Sequence, residues 1–364
     1  MRIAYVITRS NEVGGAHIHV RDMARWLQRK GHDVCVFCGG QGPFTELLND
    51  ANIPFCSLRH LKRPITLIQD LRAIGELATS LGQFEADLVS LHSAKAGLLG
   101  RIACRKLNAA VIFTAHGWAF AEGVSQPARL IYLLLERWTA GLADKIITVC
   151  ETDRQYALKH RVGKKDQLVA IHNGMPGIPD NLVANPVNDI ARIVMVARFE
   201  RPKDHPTVIK ALSGLADLNW MLDLVGDGPL LEDIKAIVDD SKLGDKVNFL
   251  GRRNDVAEIL SKSDIFLLAS FWEGFPRSIL EAMRASLPVI ASRVAGVPEA
   301  VEEASTGFLV EPGNADQIRA CLQRLIEDRE LRKKMGRNGH DKYEKQFTFE
   351  TMASKTLDVY ASMV

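Results

Sequence analysis

A chain of 364 residues, 47% hydrophobic and 25% charged, is too long for one typical core and suits two soluble globular domains. The formal net charge of +2 excludes the concentrated basic character of a nucleic-acid-binding protein. No apolar run approaches the roughly 20 residues that cross a bilayer, and the opening run Arg2–Thr8 is too short for a signal peptide, so a cytoplasmic protein is expected, with any membrane contact peripheral.

In the first half, strand-length apolar runs at Ile3–Thr8, Asp33–Cys38, Leu88–His92, Val111–Ala115, Lys145–Val149 and Leu168–Ile171 alternate with helical patterns at His17–Lys30, Leu67–Leu81, Ala96–Leu107 and Ala128–Gly141. That rhythm predicts a parallel sheet with crossover helices. Six scattered cysteines sit mostly in apolar runs, as reduced buried thiols do; Cys35 and Cys38 have redox spacing but fall within a strand, which favours a structural role. From Asn173 to Asn188 the chain is rich in Asn, Pro, Gly and Asp, the composition of a linker. The alternation restarts with strands at Arg192–Ala197, Trp220–Val225, Val247–Leu250, Asp264–Ala269, Val289–Ser292 and Phe308–Val310. After Asn314 the chain is charged and helical, and its last stretch is expected to pack back on the first domain. The predicted domains are 1–174, a linker 175–190, and 191–346, with a returning helix 347–364. Two doubly wound α/β domains of this kind favour a ligand at the carboxyl ends of their strands, in a central cleft that the domains face.

Chemistry-bearing residues gather at those predicted strand ends. After the first strand, Gly14 and Gly15 precede a helix, either as a plain tight turn or as a loop that brings backbone N–H groups to an anion. His116 follows Val111–Ala115 directly, where it serves a turn or meets a reacting hydroxyl. Arg198 and Lys203 follow the first strand of the second domain, as a solvated turn or as the cations a diphosphate leaving group needs. Glu273-Gly-Phe-Pro-Arg-Ser-Ile-Leu-Glu281 reads as strand end, loop and helix start, which makes it a capped surface helix or a grip on sugar hydroxyls beside a phosphate. Neither the Gly14–Gly15 loop nor Gly226-Asp-Gly228-Pro-Leu-Leu231 is a Gly-x-Gly-x-x-Gly fingerprint, and Asp-x-Asp, His-Glu-x-x-His and Gly-x-Ser-x-Gly are absent, so neither a nicotinamide dehydrogenase nor a metal centre nor a serine hydrolase is indicated.

Taken in order, these residues resemble the retaining glycosyltransferases of family 4, with the GT-B fold, over nearly the whole chain. Glu273 and Glu281 match the Glu-x7-Glu element, Arg198 and Lys203 the Arg-x4-Lys element, and Gly14, Gly15 and His116 the glycine pair and histidine. The resemblance implies that Glu281 binds the donor ribose and Glu273 the donor sugar. It implies that Gly15, Arg198, Lys203 and backbone near Gly274, Phe275, Arg277 and Ser278 contact the diphosphate, and that the base lies by Phe249–Arg252, at Gly251 and Arg252. His116, Lys203, Arg198 and Glu273 are the implied catalytic set. Two departures stand out: Asp204 and Pro276 replace common glycines. His92–Gly97 and Thr114–Trp118 resemble bacterial members that build surface polysaccharides on lipid-linked acceptors, with His17, Lys95, Gly97 and His116 on the acceptor side. Arg59, Lys62, Arg63, Arg101, Arg105 and Lys106 are cations that would meet an anionic membrane or a polyprenyl-diphosphate-linked acceptor, or lie solvated. The expected activity is metal-independent, cofactor-free transfer of a hexose or N-acetylhexosamine from a nucleoside-diphosphate sugar, UDP foremost, to a saccharide hydroxyl; a sugar-nucleotide epimerase and a non-catalytic partner subunit are the alternatives.

Overall fold

The computed structural model describes residues 1–121 and 124–364, in two compact units: Met1–His172 with Ala353–Val364, and Asn173–Met352. In the first unit the strands are β1 (Arg2–Ile7), β2 (Asp33–Gly39), β3 (Phe55–Leu58), β4 (Leu88–His92), β5 (Ala110–Ala115), β6 (Lys145–Thr148) and β7 (Leu168–Ala170). They form one parallel sheet in the order β3-β2-β1-β4-β5-β6-β7. Helices α1 (Gly15–Arg29), α2 (Pro43–Asp50), α3 (Leu67–Phe84), α4 (Ala94–Ala103), α5 (Gln126–Ala140) and α6 (Glu151–Lys159) connect them. Helices on both faces explain why β1 reads as an apolar run after Arg2 and why β4 is buried throughout: every residue after Arg2 in β1 is buried, as are all five of β4, Ser90 and His92 among them.

The chain builds outward from β1 to β3, then returns to place β4 on β1's other side. Ile7 pairs with Cys38 and with His92, so three strand ends align at the carboxyl edge. Thr8 Oγ1 lies 2.6 Å from Ser93 Oγ and accepts from the Ala96 N–H at 3.1 Å, which pins the exits of β1 and β4 together. Ser93 holds φ 76°, a conformation a serine seldom adopts, at the start of α4.

Helix α4 lies very close to the sheet. A Cβ on Gly97 would stand 2.4 Å from Phe113 Cε2, and one on Gly100 2.4 Å from Leu91 Cδ2. Gly97, expected among acceptor contacts, is buried and serves this approach instead. The helix starts at Ala94 and ends at Ala103, two residues earlier and four residues earlier than the predicted Ala96–Leu107, because Ser93 turns the chain into it and a short 3-10 turn, Cys104–Lys106, carries it out.

In the second unit, β8 (Ala191–Val196), β9 (Trp220–Val225), β10 (Val247–Gly251), β11 (Ile265–Leu268), β12 (Val289–Ser292) and β13 (Gly307–Val310) make a parallel sheet ordered β10-β9-β8-β11-β12-β13. Its helices are α7 (His205–Ser213), α8 (Leu231–Asp240), α9 (Val256–Ser261), α10 (Arg277–Arg284), α11 (Val297–Ala300), α12 (Ala315–Glu327) and α13 (Arg329–Gln346). The last helix, α14 (Phe349–Ala361), begins in this unit, and from Ala353 its residues belong to the first.

The stretch 175–190, expected as a linker, is part of the second unit. The Ala184 N–H donates to Ala285 O at 2.9 Å, Asn188 Nδ2 donates to Asp264 Oδ2 at 2.9 Å, and the fully buried Arg332 donates to Pro186 O at 3.0 Å. Its polar composition feeds these hydrogen bonds, which composition alone cannot distinguish from a solvated connection. Each unit has its own core, with Val6, Phe37, Leu77, Leu91 and Phe113 in the first and Ile193, Leu224, Phe266, Leu280 and Ile290 in the second.

Gly97→Val forces two methyl groups between α4 and the Phe113 ring, so it is expected to destabilise the protein by about 1–3 kcal/mol. Urea unfolding measures this; an unchanged midpoint would contradict the packing role.

Candidate functional site

In the second unit the strand order reverses between β8 and β11. Such a point leaves a crevice at the carboxyl edge. The β8 loop carries Arg198 and Lys203, and the β11 loop carries Glu273. Lys203 and Ser270 form an isolated bridge, and the Phe271 N–H donates to Pro202 O at 3.0 Å, so the two loops are tied by backbone. Lys203 Nζ pairs with Glu273 Oε1, which also accepts from Ser270 Oγ at 2.6 Å. Lys203 and Glu273 are thus brought into direct contact, although 70 residues separate them. Arg198 is half exposed and pairs with Glu200 at 3.2 Å.

Two departures from the expected glycines acquire reasons. Asp204, at φ −112°, stands where a side chain is unstrained, and its Oδ1 accepts from the Thr207 N–H at 3.2 Å to cap α7. Pro276 is the residue that precedes α10, at φ −71°, so its ring fits the turn. The glycines this site requires are Gly226 and Gly228, both at positive φ. A Cβ on Gly226 would stand 2.0 Å from Ala197 O, and one on Gly228 2.5 Å from Phe199 O. They let the β9 loop lie against the Arg198 loop.

Around this crevice Phe275 is buried and stacks near Phe347, and its carbonyl accepts from Asn173 Nδ2 at 2.8 Å. Its side chain therefore anchors the turn, while Arg277 and Ser278 open α10, whose first N–H groups have no partner within the helix. Glu281 lies one turn further on; burial raises its carboxyl, against the pull of Arg277 and Arg284. Gly251, at φ 66°, and the exposed Arg252 end β10 on the same edge, and the Gly226 N–H donates to Gly251 O at 2.9 Å. His205 stacks on Phe199 with centroids 4.4 Å apart, and burial, with Lys203 nearby, pushes its imidazole down to about 4.

In the first unit the reversal falls between β1 and β4, beside the Gly14–Gly15 loop. Both glycines are exposed. His17, expected on the acceptor side, is mostly buried within this loop and lines the cavity beside it: its Nδ1 accepts from the Gly14 N–H at 3.2 Å and its Nε2 lies 3.0 Å from Arg9 O. The ring fixes the start of α1, and burial lowers its basicity. Lys95 pairs with Asp70 at 2.6 Å and donates to Pro64 O, so it braces the Pro64 turn against α4.

His116 is joined to a buried chain of polar groups that sequence reasoning missed. Its Nε2 lies 2.9 Å from His92 Nδ1; His92 Nε2 lies 3.0 Å from Ser90 Oγ; Ser90 Oγ lies 2.7 Å from Tyr360 OH, itself 3.2 Å from Tyr5 OH. Burial, then His116, holds His92 well below the usual imidazole range, so this ring is neutral and carries one proton. It must donate on one side and accept on the other. The polarity at Ser90 therefore sets whether His92 donates to His116 Nε2 or accepts from it. The five residues stand at 5, 90, 92, 116 and 360, a set no local motif could announce.

His19 joins His92 and His116 so that one nitrogen of each lies within 4.8 Å of the others, a grouping that the sequence spacing did not suggest. The 2.9 Å between His92 and His116 nitrogens is a hydrogen-bond length; two imidazoles on one tetrahedral ion at ~2.0–2.1 Å stand about 3.3 Å apart. As arranged, this pair shares a proton.

Residues 184–342 match the family described as glycosyl transferases group 1, and residues 14–174 match a glycosyl transferase 4-like domain. The chain is 31% identical over 354 residues, 93% of its length and 91% of the relative's, to the UDP-Gal:alpha-D-GlcNAc-diphosphoundecaprenol alpha-1,3-galactosyltransferase of Escherichia coli. It is 24% identical to the O-antigen biosynthesis glycosyltransferase WbnH of Escherichia coli, covering 90% of this chain and 91% of the other. The structure of Anabaena HepE in complex with UDP and glucose aligns over 100% of both chains with a TM-score of 0.85 at 22% identity, a likeness of fold.

Tyr360→Phe removes one link of the buried chain. It is expected to shift the ring-nitrogen NMR signals of His92 and His116 and to cost about 1 kcal/mol of stability; signals that do not move would break the chain between Ser90 and His116. His205 predicts acid sensitivity. Its folded value of about 4 lies below the ordinary 6.5, so the unfolded chain binds more protons between them, and stability present above pH 6.5 is lost as pH falls toward 4. Urea titrations should show His205→Phe losing about 2–3 kcal/mol less than the parent over that window; parallel curves would refute it.

Proposed function

Since the chain belongs to the group 1 glycosyl transferases, of the GT-B, family 4 type, and is a glycosyltransferase, we propose that it moves a hexose or N-acetylhexosamine from a UDP-sugar, with retention and without a metal, to a saccharide hydroxyl on a lipid diphosphate. One observation carries this reading: Lys203, Ser270 and Glu273 converge beside the start of α10 at the strand reversal of the second unit. The names of the relatives support a lipid-linked or polysaccharide acceptor, and transfer over epimerisation.

Each part has a chemical task. The ammonium of Lys203 has three donors, one of them engaged by Glu273, so it can also meet a diphosphate oxygen. With Arg198 and the first N–H groups of α10 it would offset charge on the leaving phosphate as the bond to the anomeric carbon breaks. Glu273, oriented by Lys203 and Ser270, would accept from sugar hydroxyls, and Glu281 from the ribose hydroxyls. The acceptor oxygen bonds to the anomeric carbon from the face the phosphate leaves, and its proton passes to that phosphate, so UDP departs and no external base is needed. His116, hydrogen-bonded to His92, is assigned to orienting the acceptor hydroxyl and the transferred sugar.

Lys203→Ala and Glu273→Ala are each expected to lower kcat/KM for transfer by roughly 10²–10³-fold, with Glu281→Ala acting mainly on donor KM. Product NMR should give the donor's anomeric configuration, and EDTA should leave the rate unchanged. Full activity in Lys203→Ala would sink the site assignment, inversion the mechanism, and loss of activity with EDTA the metal independence. Conversion of the sugar nucleotide with no acceptor present would favour an epimerase.

A further inference from the structure

Eleven large hydrophobic side chains stand out as exposed among the described residues, and eight of them fall on two short segments of the first unit: Ile65, Leu67, Ile68 and Leu71, then Leu130, Ile131, Leu134 and Trp138. Chance scatter would not concentrate them so. On α3, Leu67, Ile68 and Leu71 lie within an arc of about 100° at 3.6 residues per turn, whereas Ala73, Leu77 and Leu81 make the buried face. Leu130, Ile131, Leu134 and Trp138 share a similar outward arc on α5. Both helices run from the carboxyl edge of the sheet, so the two apolar faces begin on the edge that carries the Gly14–Gly15 loop.

Of the eight, Ile65 also lines a cavity. Its volume is ≈ 580 Å³, and its lining includes Arg63, Asp70, Tyr132, Leu135 and Glu136 as well as Gly14, Gly15 and Lys95. The cavity thus runs from Ile65, ahead of α3, past the Tyr132–Glu136 stretch of α5 to the glycine loop.

Charge narrows the partner. Arg59, Lys62, Arg63 and Arg72 are exposed on and beside the start of α3. The acids of segments 57–80 and 124–141 are all engaged: Asp70 pairs with Lys95, Glu76 accepts from the N–H groups of Arg59 and His60, and Glu136 is buried against Arg101. A surface that is apolar and cationic, with Asp70 and Glu136 paired to cations and Glu76 held by backbone N–H groups, repels a second copy of itself and matches lipid whose headgroups are negative. The exposed Trp138 suits the boundary between headgroups and acyl chains.

We propose that this face of α3 and α5 docks the protein on an anionic phospholipid bilayer, with the cavity open toward the membrane. Docking itself is independent of the acceptor; the cavity's use as the path of a lipid-borne acceptor toward the glycine loop rests on the function proposed above. The cations that take part are Arg59, Lys62, Arg63 and Arg72. Of the others expected to meet a membrane, Arg101 is fully buried against Glu136, and Arg105 and Lys106 follow the far end of α4.

The test is flotation of the full chain with vesicles of phosphatidylglycerol and phosphatidylcholine, and with phosphatidylcholine alone. The parent should float with the anionic vesicles, its tryptophan emission should shift to the blue, and high salt should weaken binding. Leu67→Ser with Ile68→Ser, or Leu130→Ser with Ile131→Ser, should lower the bound fraction roughly tenfold, while circular dichroism melts and transfer to a water-soluble, short-chain acceptor stay as in the parent. Trp138→Phe should lose the blue shift. Failure to float, binding unaffected by both double substitutions, or a dimer that either double substitution dissociates would overturn the proposal. Loss of vesicle binding with intact transfer to the short-chain acceptor refutes neither docking nor function; it is the expected separation of the two, whereas intact docking with no transfer to any acceptor would count against the function alone.

Discussion

In each sheet the chain reverses the direction in which it adds strands, and the chemistry of both units depends on that reversal. Neighbouring parallel strands normally send their loops to the same side, where helices fill the space. Between β1 and β4, and again between β8 and β11, the order reverses, and the two strand exits are held to each other, by Thr8 and Ser93 in the first unit and by the Lys203–Ser270 bridge in the second, with side chains and helix starts at the edge. In the second unit that edge is flanked by a lysine and a glutamate, and in the first by a hydrogen bond between Thr8 and Ser93 beside two exposed glycines. Beside the reversals, the neighbouring strand exits also demand close backbone approach. A Cβ on Gly226 would meet Ala197 O at 2.0 Å, and one on Gly39 would meet Leu61 O at 1.8 Å, so glycine at these positions is a steric requirement of the loops that frame each edge.

The electrostatics differ between the two edges in a way that suits different tasks. The second unit pairs Lys203 with Glu273 under partial cover, where the pair is stronger than on an open surface and where removing one partner leaves the other poorly solvated. A polyanion that binds there must share Lys203 with Glu273, so binding and the orientation of Glu273 are coupled. The first unit relies on neutral groups. His92 is held uncharged by burial, and hydrogen bonds join it through Ser90 to the hydroxyls of Tyr360 and Tyr5 and, on its other side, to His116. Such a chain orients an imidazole without adding a field that would compete with a charged ligand.

Most strands were legible because parallel sheets covered on both faces leave largely apolar runs, as β11, Ile-Phe-Leu-Leu, shows with every residue buried. Strand β3, Phe-Cys-Ser-Leu, escaped because its burial is partial and its four residues hold no run long enough to read. Lys203 and Glu273 were legible as strand-end residues, and their contact became visible only with the order of strands. Gly97 misled because a glycine near a functional-looking loop suggests a ligand, whereas the Phe113 ring is what excludes a side chain there. For His17, position in a glycine loop does not reveal that both ring nitrogens are used by backbone. The buried polar chain had no sequence signal, because its members meet through three strands and the last helix.

Helix α5 carries the least expected arrangement. Its inward side places Glu136 against the fully buried Arg101, whose Nε also donates to Gly97 O at 2.7 Å and whose guanidinium lies 4.4 Å from the Phe113 ring centroid, while its outward side exposes Leu130, Ile131, Leu134 and Trp138. Charge inside and apolar groups outside invert the usual helix pattern. A buried ion pair adds little to stability compared with well-packed apolar groups, and an apolar surface adds none in water. Folding alone therefore favours the opposite sequence at both faces. The buried pair does fix the rotation of α5 about its axis, because turning the helix would strand Glu136 away from Arg101. Holding that rotation aims the apolar arc outward, and the arrangement gains free energy only when something apolar covers it.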